Sequence, residues 1–279
     1  MKIAFTFTIA FIFICGISGN AVFAQSQKAV FSNKAALEES VKTVSCKQEE
    51  RLEGVRKLFM AAGASETEIE IEKFNKDKIS NVVVRKKGES AETIIIGAHY
   101  DMTDEGCGAT DNWTGISIIT HIYNSLRNFD TKKSYVFVAF DQEEAGLKGS
   151  SQMTKAMSKD DVAQTCSMVN FDSFGQAGTF ILSNVSSPKI IKFAKKVGKD
   201  SDIKIEDVSI TGASSDSASF VNKKIPAITF SGLGRDWQSI LHTSNDKIEK
   251  VDMASVYFGY QFGLLFISKL DAEPCDHLK

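Results

Sequence analysis

Four short apolar segments of this sequence are each followed by residues of the kinds that bind metal ions. The segments are residues 93–98, 135–140, 168–171 and 226–230. The residues that follow them are His99, the pair Glu143 and Glu144, Asp172 and, after a loop, His242. Asp111 lies in a further loop, which is rich in glycine. Imidazole nitrogen and carboxylate oxygen are the ligands of zinc when no thiolate is offered, so the pattern indicates a metal centre.

Two histidines and three carboxylates are too many ligands for one tetrahedral zinc that keeps an open position. They suit two zinc ions that share one bridging carboxylate. Two metals about 3.5–4 Å apart can stabilise both the attacking and the departing oxygen of a hydrolysis. One member of the Glu143–Glu144 pair can bind metal while the other acts as general base. Asp101 can accept the second ring N–H of His99 and orient that imidazole.

Each candidate residue also has an ordinary structural interpretation. A histidine at a strand end is often a hydrogen-bonded structural residue, and a glutamate pair is often a solvated surface. Asp111 precedes Asn112 and can belong to a helix cap, and Asp172 can belong to another. These alternatives are plausible singly, but together they require several strands to end in ligand-type residues by accident.

The spacing of apolar residues predicts the elements that position these side chains. Residues 93–98 are apolar and rich in β-branched residues, which is typical of a buried strand, and the other three segments are short apolar runs that also predict buried strands. They alternate with segments of helical periodicity at residues 112–128, 188–197 and 251–270. This order predicts a largely parallel sheet with helices on both faces. Ligands of such sheets gather at the carboxyl ends of the strands, where the candidate residues lie.

The predicted fold class is α/β, a three-layer α/β/α sandwich with a mixed, mostly parallel central sheet. Residues 68–74 and 79–84 read as half-exposed strands, and we expect them to be antiparallel. Residues 203–208 alternate in the same way and predict another strand. Residues 33–62 read as helical with a break near Ser45.

The beginning of the chain has the features of a signal peptide. Lys2 precedes an apolar run that ends at Cys15, and Val22 and Ala24 fit a cleavage site before Gln25. We therefore expect residues 1–24 to be removed, residues 25–279 to form one domain that contains the metal centre, and the product to be secreted or periplasmic. An uncleaved anchor and a lipid anchor on Cys15 are the alternatives.

The net charge is −2, and both signs are mixed along the chain, so this is not a highly basic protein. We find no basic stripe for nucleic acid and no polybasic segment for anionic lipid. We expect no membrane contact after cleavage of the signal, and a monomer.

The cysteines that remain after cleavage are Cys46, Cys107, Cys166 and Cys275. An even number in an exported chain favours disulfides, for which three connectivities exist. Cys107 lies in the loop beside the candidate ligands, and we expect Cys46 to be its partner. Free buried thiols are the alternative.

With these residues in place, the chain resembles the zinc aminopeptidase family that includes bacterial leucyl aminopeptidases and glutaminyl cyclases. The resemblance spans roughly residues 94–252. The shared motifs, in chain order, are GAHYD, GATDNWTG, FDQEEAGLKGS, NFDSFG and LHTSNDKIEKVD. The fold of this family is an α/β/α sandwich, in agreement with the prediction from periodicity.

The resemblance also implies a role for each candidate residue and a substrate. Peptides with a free amino terminus would be shortened from that end. The implied roles are Asp111 as the bridge between two zinc ions, Glu144 and His242 as the remaining ligands of one zinc, His99 and Asp172 as those of the other, Glu143 as general base, and Asp101 as the partner of His99.

Some features depart from the family pattern or leave a choice open. Many relatives have Ser-Asp-His where this chain has Ser215-Asp216-Ser217, which puts the local substrate contacts in doubt. A glutaminyl cyclase is the alternative activity, although such cyclases often have Trp before the last metal histidine, where this chain has Leu241. A third alternative is a binding protein on an inactive peptidase scaffold. Trp237 and Phe174 either line the substrate pocket or pack in the core.

Overall fold

The computed structural model of the protein describes residues 30–76 and 78–279. The predicted signal peptide, residues 1–24, lies outside the described residues and stays a prediction, as does the single domain from residue 25. The strands are β1 (Ile69–Phe74), β2 (Ile79–Lys86), β3 (Thr93–His99), β4 (Ser134–Phe140), β5 (Thr165–Phe171), β6 (Phe180–Leu182), β7 (Asp207–Val208) and β8 (Ala227–Ser231). The helices are α1 (Lys34–Val41), α2 (Gln48–Ala61), α3 (Thr114–Leu126), α4 (Lys148–Ala156), α5 (Lys159–Gln164), α6 (Pro188–Asp200), α7 (Ser217–Asn222), α8 (Met253–Ala272) and α9 (Cys275–Leu278).

The described strands form one mixed sheet in the order β1-β2-β4-β3-β5-β8-β6-β7. The four apolar segments singled out in the sequence are β4, β3, β5 and β8, which lie side by side and run parallel. The two strands near the start are antiparallel, β1 to β2 and β2 to β4. The predicted mixed sheet is therefore confirmed.

Alternate residues of the central strands enter two separate hydrophobic cores. Ile94 and Ile96 of β3 belong to the core on one face, with apolar residues of α1, α2, α3, α6 and α8. Ile95 belongs to the core on the other face, with apolar residues of α4, α5 and α7. The prediction of three layers is confirmed, because both faces of the sheet are covered by helices.

The structure corrects several predicted boundaries. The strand expected at residues 203–208 is reduced to Asp207–Val208. Ile205 is buried and packs in the core, but its backbone does not pair with a strand. Helix α3 begins at Thr114 because Asp111 and Asn112 have non-helical backbone angles. Helices α5 and α9 were not expected.

Two disulfides are present in the described part of the chain. Cys46–Cys107, the predicted pair, joins the α1–α2 connection to the loop after β3. Cys166–Cys275 joins β5 to the carboxyl-terminal helix α9. The alternative of free thiols is wrong for this structure. Among the described helices, none has the length and apolar character needed to cross a membrane.

Candidate metal centre

The predicted site residues meet at one rim of the sheet, where the parallel strands end. His99 is the last residue of β3, and Asp172 directly follows β5. Glu143 and Glu144 come from the turn after β4, and His242 comes from the loop between β8 and α8. Because these strands are neighbours in the sheet, side chains far apart in the sequence become adjacent in space.

Asp111 lies at the centre of the cluster and divides it into two halves. Its Oδ1 lies 3.1 Å from His99 Nε2, and its Oδ2 lies 3.3 Å from His242 Nε2. The His99 half is completed by Asp172, whose Oδ1 is 3.5 Å from the same imidazole nitrogen. The His242 half is completed by Glu144, whose Oε2 is 3.1 Å from His242 Nε2. The two halves share one carboxylate.

Asp111 is held in this orientation by the backbone around it. The segment Ala109–Trp113 is kinked, and the Asp111–Asn112 peptide bond is cis. The Asp246 carboxylate accepts hydrogen bonds from the N–H groups of Thr110 at 2.7 Å and Asp111 at 3.1 Å. The Asn112 side chain donates to the carbonyl of Phe171 at 2.8 Å. These contacts tie the segment both to the end of β5 and to the loop that carries His242.

Asp101 connects His99 with the glutamate pair. Its Oδ1 lies 3.4 Å from His99 Nδ1 but accepts a hydrogen bond from the N–H of Glu143 at 2.9 Å. Its Oδ2 accepts one from the N–H of Glu144 at 3.1 Å. The predicted hydrogen bond to His99 is not formed, because the carboxylate is directed at the two backbone N–H groups. Asp101 therefore positions the turn that carries both glutamates.

Serine hydroxyls support the His99 half. Ser215 Oγ donates to Asp172 Oδ2 at 2.5 Å and accepts a hydrogen bond from Asn170 Nδ2 at 2.7 Å. Ser173 Oγ lies 3.0 Å from Asp111 Oδ1 and 3.0 Å from Asp172 Oδ1. Each carboxylate of this half is thus oriented by a neighbour that is itself fixed in the fold.

Contacts between imidazoles and carboxylates raise the pKa of both histidines and lower that of Asp111. Burial would raise the pKa of Asp111, but its contacts with His242 and His99 hold it below the ordinary value. Asp111 and then Glu144 raise the pKa of His242 to about 10. Burial would lower the pKa of His99, but the neighbouring carboxylates raise it well above the ordinary value. The cluster contains more carboxylates than imidazoles, so its excess of negative charge attracts cations.

The donor atoms fit divalent cations. His99, Asp111 and Glu144 each offer a ligand atom, and these atoms lie within 4.8 Å of one another. Glu144 Oε1 is buried and has no hydrogen-bond partner among the described residues. This oxygen is therefore available to bind a cation. Neutral imidazole nitrogen and carboxylate oxygen with no thiolate are a donor set for zinc.

The centre opens into a cavity of about 520 Å³, a volume typical of small-ligand sites. Apolar side chains form much of its wall beyond the metal-binding side chains. They are Leu147, Leu182, Ile210, Leu233, Trp237 and Leu241. Of the two aromatic candidates, Trp237 lines the cavity, whereas Phe174 is fully buried in the core.

The Ser215-Asp216-Ser217 segment lies beside the centre. Asp216 is fully buried, and neither carboxylate oxygen has a hydrogen-bond partner among the described residues. Burial raises the pKa of Asp216 to about 7. Ser217, at the position where many relatives have histidine, is also buried and donates to the carbonyl of Val185 at 2.8 Å. This serine is held in the core and does not line the cavity.

Sequence reasoning did not assign roles to several residues that hold the centre together. Asp246 follows His242 by four positions in a polar loop, where no periodicity distinguishes it. Ser173 and Ser215 adjoin acidic residues in the sequence. This neighbourhood indicates a role in the site only when the positions of the strand ends are known. Arg51 was given no role from the sequence, and it is fully buried, with hydrogen bonds to the loop that precedes Asp111.

The chain matches the sequence profile of peptidase family M28 over residues 81–257. Aminopeptidase YwaD of Bacillus subtilis (strain 168) is 25% identical over 203 residues, which cover 67% of this chain and 43% of the relative. The chain spans between about a third and somewhat more than half of the length of the curated relatives it matches.

Solved structures show the same fold. A zinc aminopeptidase from Bacillus subtilis superposes with a TM-score of 0.63 at 20% identity, over 72% of this chain and 54% of that one. A glutaminyl cyclase from an Acidobacteriales bacterium superposes with a TM-score of 0.74 at 16% identity, over 91% of this chain and 99% of that one. At these identities the likeness concerns the fold.

Proposed function

The chain belongs to peptidase family M28, and we propose that it is an exported aminopeptidase with two zinc ions. The single observation that carries this proposal is the position of Asp111. One of its oxygens faces His99 and the other faces His242, which is the arrangement that a bridging carboxylate requires.

The proposed ligands of one zinc are His99, Asp172 and Asp111, and those of the other are His242, Glu144 and Asp111. When bound, the two ions supply Lewis acidity to the scissile carbonyl and lower the pKa of the attacking water. The assignment to zinc is supported by the donor set and by the zinc aminopeptidase among the solved structures of this fold.

Glu143 is the proposed general base. Its carboxylate lines the cavity and makes no hydrogen bond or ion pair to another described side chain, unlike that of Glu144. Burial raises its pKa well above the ordinary value, which increases its basicity. A base in this position accepts the proton of the attacking water and returns it to the departing amine.

The proposed substrates are peptides with a free amino terminus. The cluster of carboxylates attracts a protonated α-amino group, and the cavity beside it accepts one side chain. Because no charged side chain other than those of the metal centre lines this cavity in the described chain, we expect a preference for apolar amino-terminal residues. Export is supported by the two disulfides, which are typical of oxidising compartments.

The test is release of leucine from an amino-terminal leucyl fluorogenic substrate by the purified, zinc-loaded protein. We expect activity that is lost with a chelator, restored by zinc, and absent when the substrate's amino group is acetylated. Equal cleavage of the acetylated substrate would overturn the proposal of an aminopeptidase.

Glutaminyl cyclase is the alternative on this fold. It is disfavoured by Leu241, which stands where such cyclases often have Trp, and by the complete His99 half, since those enzymes usually hold one zinc. A glutaminyl substrate offered in parallel distinguishes the two activities. Ring closure without release of leucine would assign the protein as a cyclase.

A further inference from the structure

Arg51 is a buried cation that contacts the loop preceding Asp111. It lies on α2, outside the residues matched by the family profile, and its exposure is 0%. Its guanidinium donates hydrogen bonds to four backbone carbonyls. They belong to Tyr100, Ser45 (3.0 Å), Cys107 (2.9 Å) and Gly108 (3.2 Å). One side chain therefore joins the end of β3, both flanks of the Cys46–Cys107 disulfide and the start of the kinked segment.

The same helix also fixes Trp113, two residues after Asp111. The Arg51 guanidinium carbon lies 4.9 Å from the centre of the Trp113 ring, a cation–π distance. One turn further along α2, a Cβ atom at Gly54 would lie only 2.7 Å from that ring. The glycine thus allows the indole to pack directly on the helix. Arg51 and Gly54 together hold the segment that presents Asp111.

Arg51 forms no ion pair with a carboxylate in the described part of the chain. The negative charges that act on it are those of Asp101, Asp246, Asp111 and Glu144, all in or beside the centre. Removing a cation from water costs several kcal/mol. Here the hydrogen bonds of Arg51, its contact with the Trp113 ring and the negative charges of this cluster offset that cost. Three of its four backbone acceptors, the carbonyls of Tyr100, Cys107 and Gly108, belong to the segment between β3 and Asp111.

We propose that Arg51 is a positioning residue of the metal centre, which fixes the loop so that Asp111 presents one oxygen to each half. The inference rests on the proposed function, because it concerns the same cations. Its charge also opposes the mutual repulsion of the carboxylates when no cation is bound. Arg51 does not line the cavity, and in the described part of the chain it makes no hydrogen bond or ion pair with the side chain of a proposed ligand.

The experiment compares the full mature chain with Arg51→Met and Arg51→Lys. Arg56→Met is the matched control, because Arg56 lies on the same helix with 24% side-chain exposure and pairs with Glu53 and Glu66. Zinc affinity is measured by competition with a chromophoric chelator, and the visible spectrum of bound Co²⁺ reports ligand geometry. Near-ultraviolet circular dichroism checks the fold of each metal-free variant.

For folded Arg51→Met we expect zinc affinity about 10–100-fold weaker, the range for residues that orient ligands, and an altered Co²⁺ spectrum. Arg51→Lys keeps the charge but not the planar fork, and we expect a partial rescue. Arg56→Met should match the unmodified chain. A folded Arg51→Met with unchanged affinity and spectrum would overturn the proposal.

If Arg51→Met does not fold, the zinc affinity and the Co²⁺ spectrum of Arg51→Lys test the proposal instead. Failure of both variants to fold would also overturn the proposal, because the guanidinium would then serve the fold as a whole. Zinc binding is measured without substrate, so its outcome is separate from the proposed activity. An unmodified chain that binds two zinc ions but releases no amino acid would overturn only the function.

Discussion

The two halves of the centre are built from different parts of the fold. The His99 imidazole is 1% exposed and ends a central strand, whereas the His242 side chain is 56% exposed and comes from a loop. His242 also has a left-handed backbone, with φ of 57°, which is uncommon for a residue other than glycine. The sheet fixes one half, and a loop brings the other to it.

The partners of the two histidines differ in the same way. Asp172 in the His99 half accepts a hydrogen bond from Ser215, and both lie in the interior. Glu144 in the His242 half is held by no such serine hydrogen bond in the described part of the chain, and one buried atom of each half, Glu144 Oε1 and His99 Nδ1, has no hydrogen-bond partner there. We infer that the His99 half is rigid before a cation binds, and that the His242 half is completed by the cation.

The largest effect should come from the residue that the halves share. Asp111→Ala removes a ligand from both, and we expect loss of both zinc ions and of detectable leucine release. Zinc content by elemental analysis and release of leucine are the measurements. Asp104→Ala, an exposed carboxylate in the same loop, is the control and should keep both. Two zinc ions retained by Asp111→Ala would disprove the shared bridge.

The next largest effect distinguishes the proposed roles of Glu143 and Glu144. Glu143→Ala removes the proposed proton acceptor and no ligand, so we expect kcat to fall by about 10²–10⁴-fold with zinc content unchanged. Glu144→Ala, one position along, should lose zinc from the His242 half. Elemental analysis of both variants beside their kcat values tests this contrast. Near-normal turnover of Glu143→Ala would assign the base elsewhere.

A smaller effect distinguishes the two histidines through stability. His99→Ala leaves buried carboxylates without a partner, and we expect the free energy of unfolding of the metal-free protein to fall by about 1–3 kcal/mol. For His242→Ala we expect a smaller loss, because this side chain is 56% exposed and water screens its contacts with Asp111 and Glu144. Each variant should retain at most one zinc ion. Chemical denaturation measures the difference, and equal losses would contradict the contrast of rigid and adjustable halves.

The last prediction concerns the pH dependence of zinc binding. Histidine binds metal in its neutral form, and His242 in the metal-free protein stays protonated up to a pKa of about 10. Zinc must displace that proton below this pH, so we expect affinity to rise with pH between 6 and 9, by roughly tenfold per unit for each proton released. His242→Ala should show a shallower rise. Chelator competition at several pH values measures both slopes.

The sequence predicted the site residues that follow the central strands better than the site residues that lie in loops. The ends of parallel strands share one rim, so His99 and Asp172 of one half, and Glu144 of the other, could be placed together from strand order alone. His242 was placed mainly through its motif, because a loop has no periodicity. The role of Asp111 as a bridge came from the family resemblance and stays a prediction; in the structure its two oxygens face different histidines.

Contacts between distant segments account for what sequence reasoning missed. Arg51 lies beside the apolar stripe of α2 and binds a loop 49 residues away, a distance that helical periodicity does not encode. Ile203 and Ile205 alternate as in a strand, but their side chains pack on the core while the backbone pairs only at Asp207–Val208. Tertiary packing decided both cases.

All the side chains proposed to react lie at one rim of the sheet, which leaves the opposite rim without a part in the chemistry. The connection between β2 and β3 crosses that far rim, and its residues 89–92 are exposed. A fluorescent reporter or a solid support attached there would face away from the incoming peptide. The protein can thus be immobilised with its working side free, and the turnover of the attached enzyme should equal that in solution.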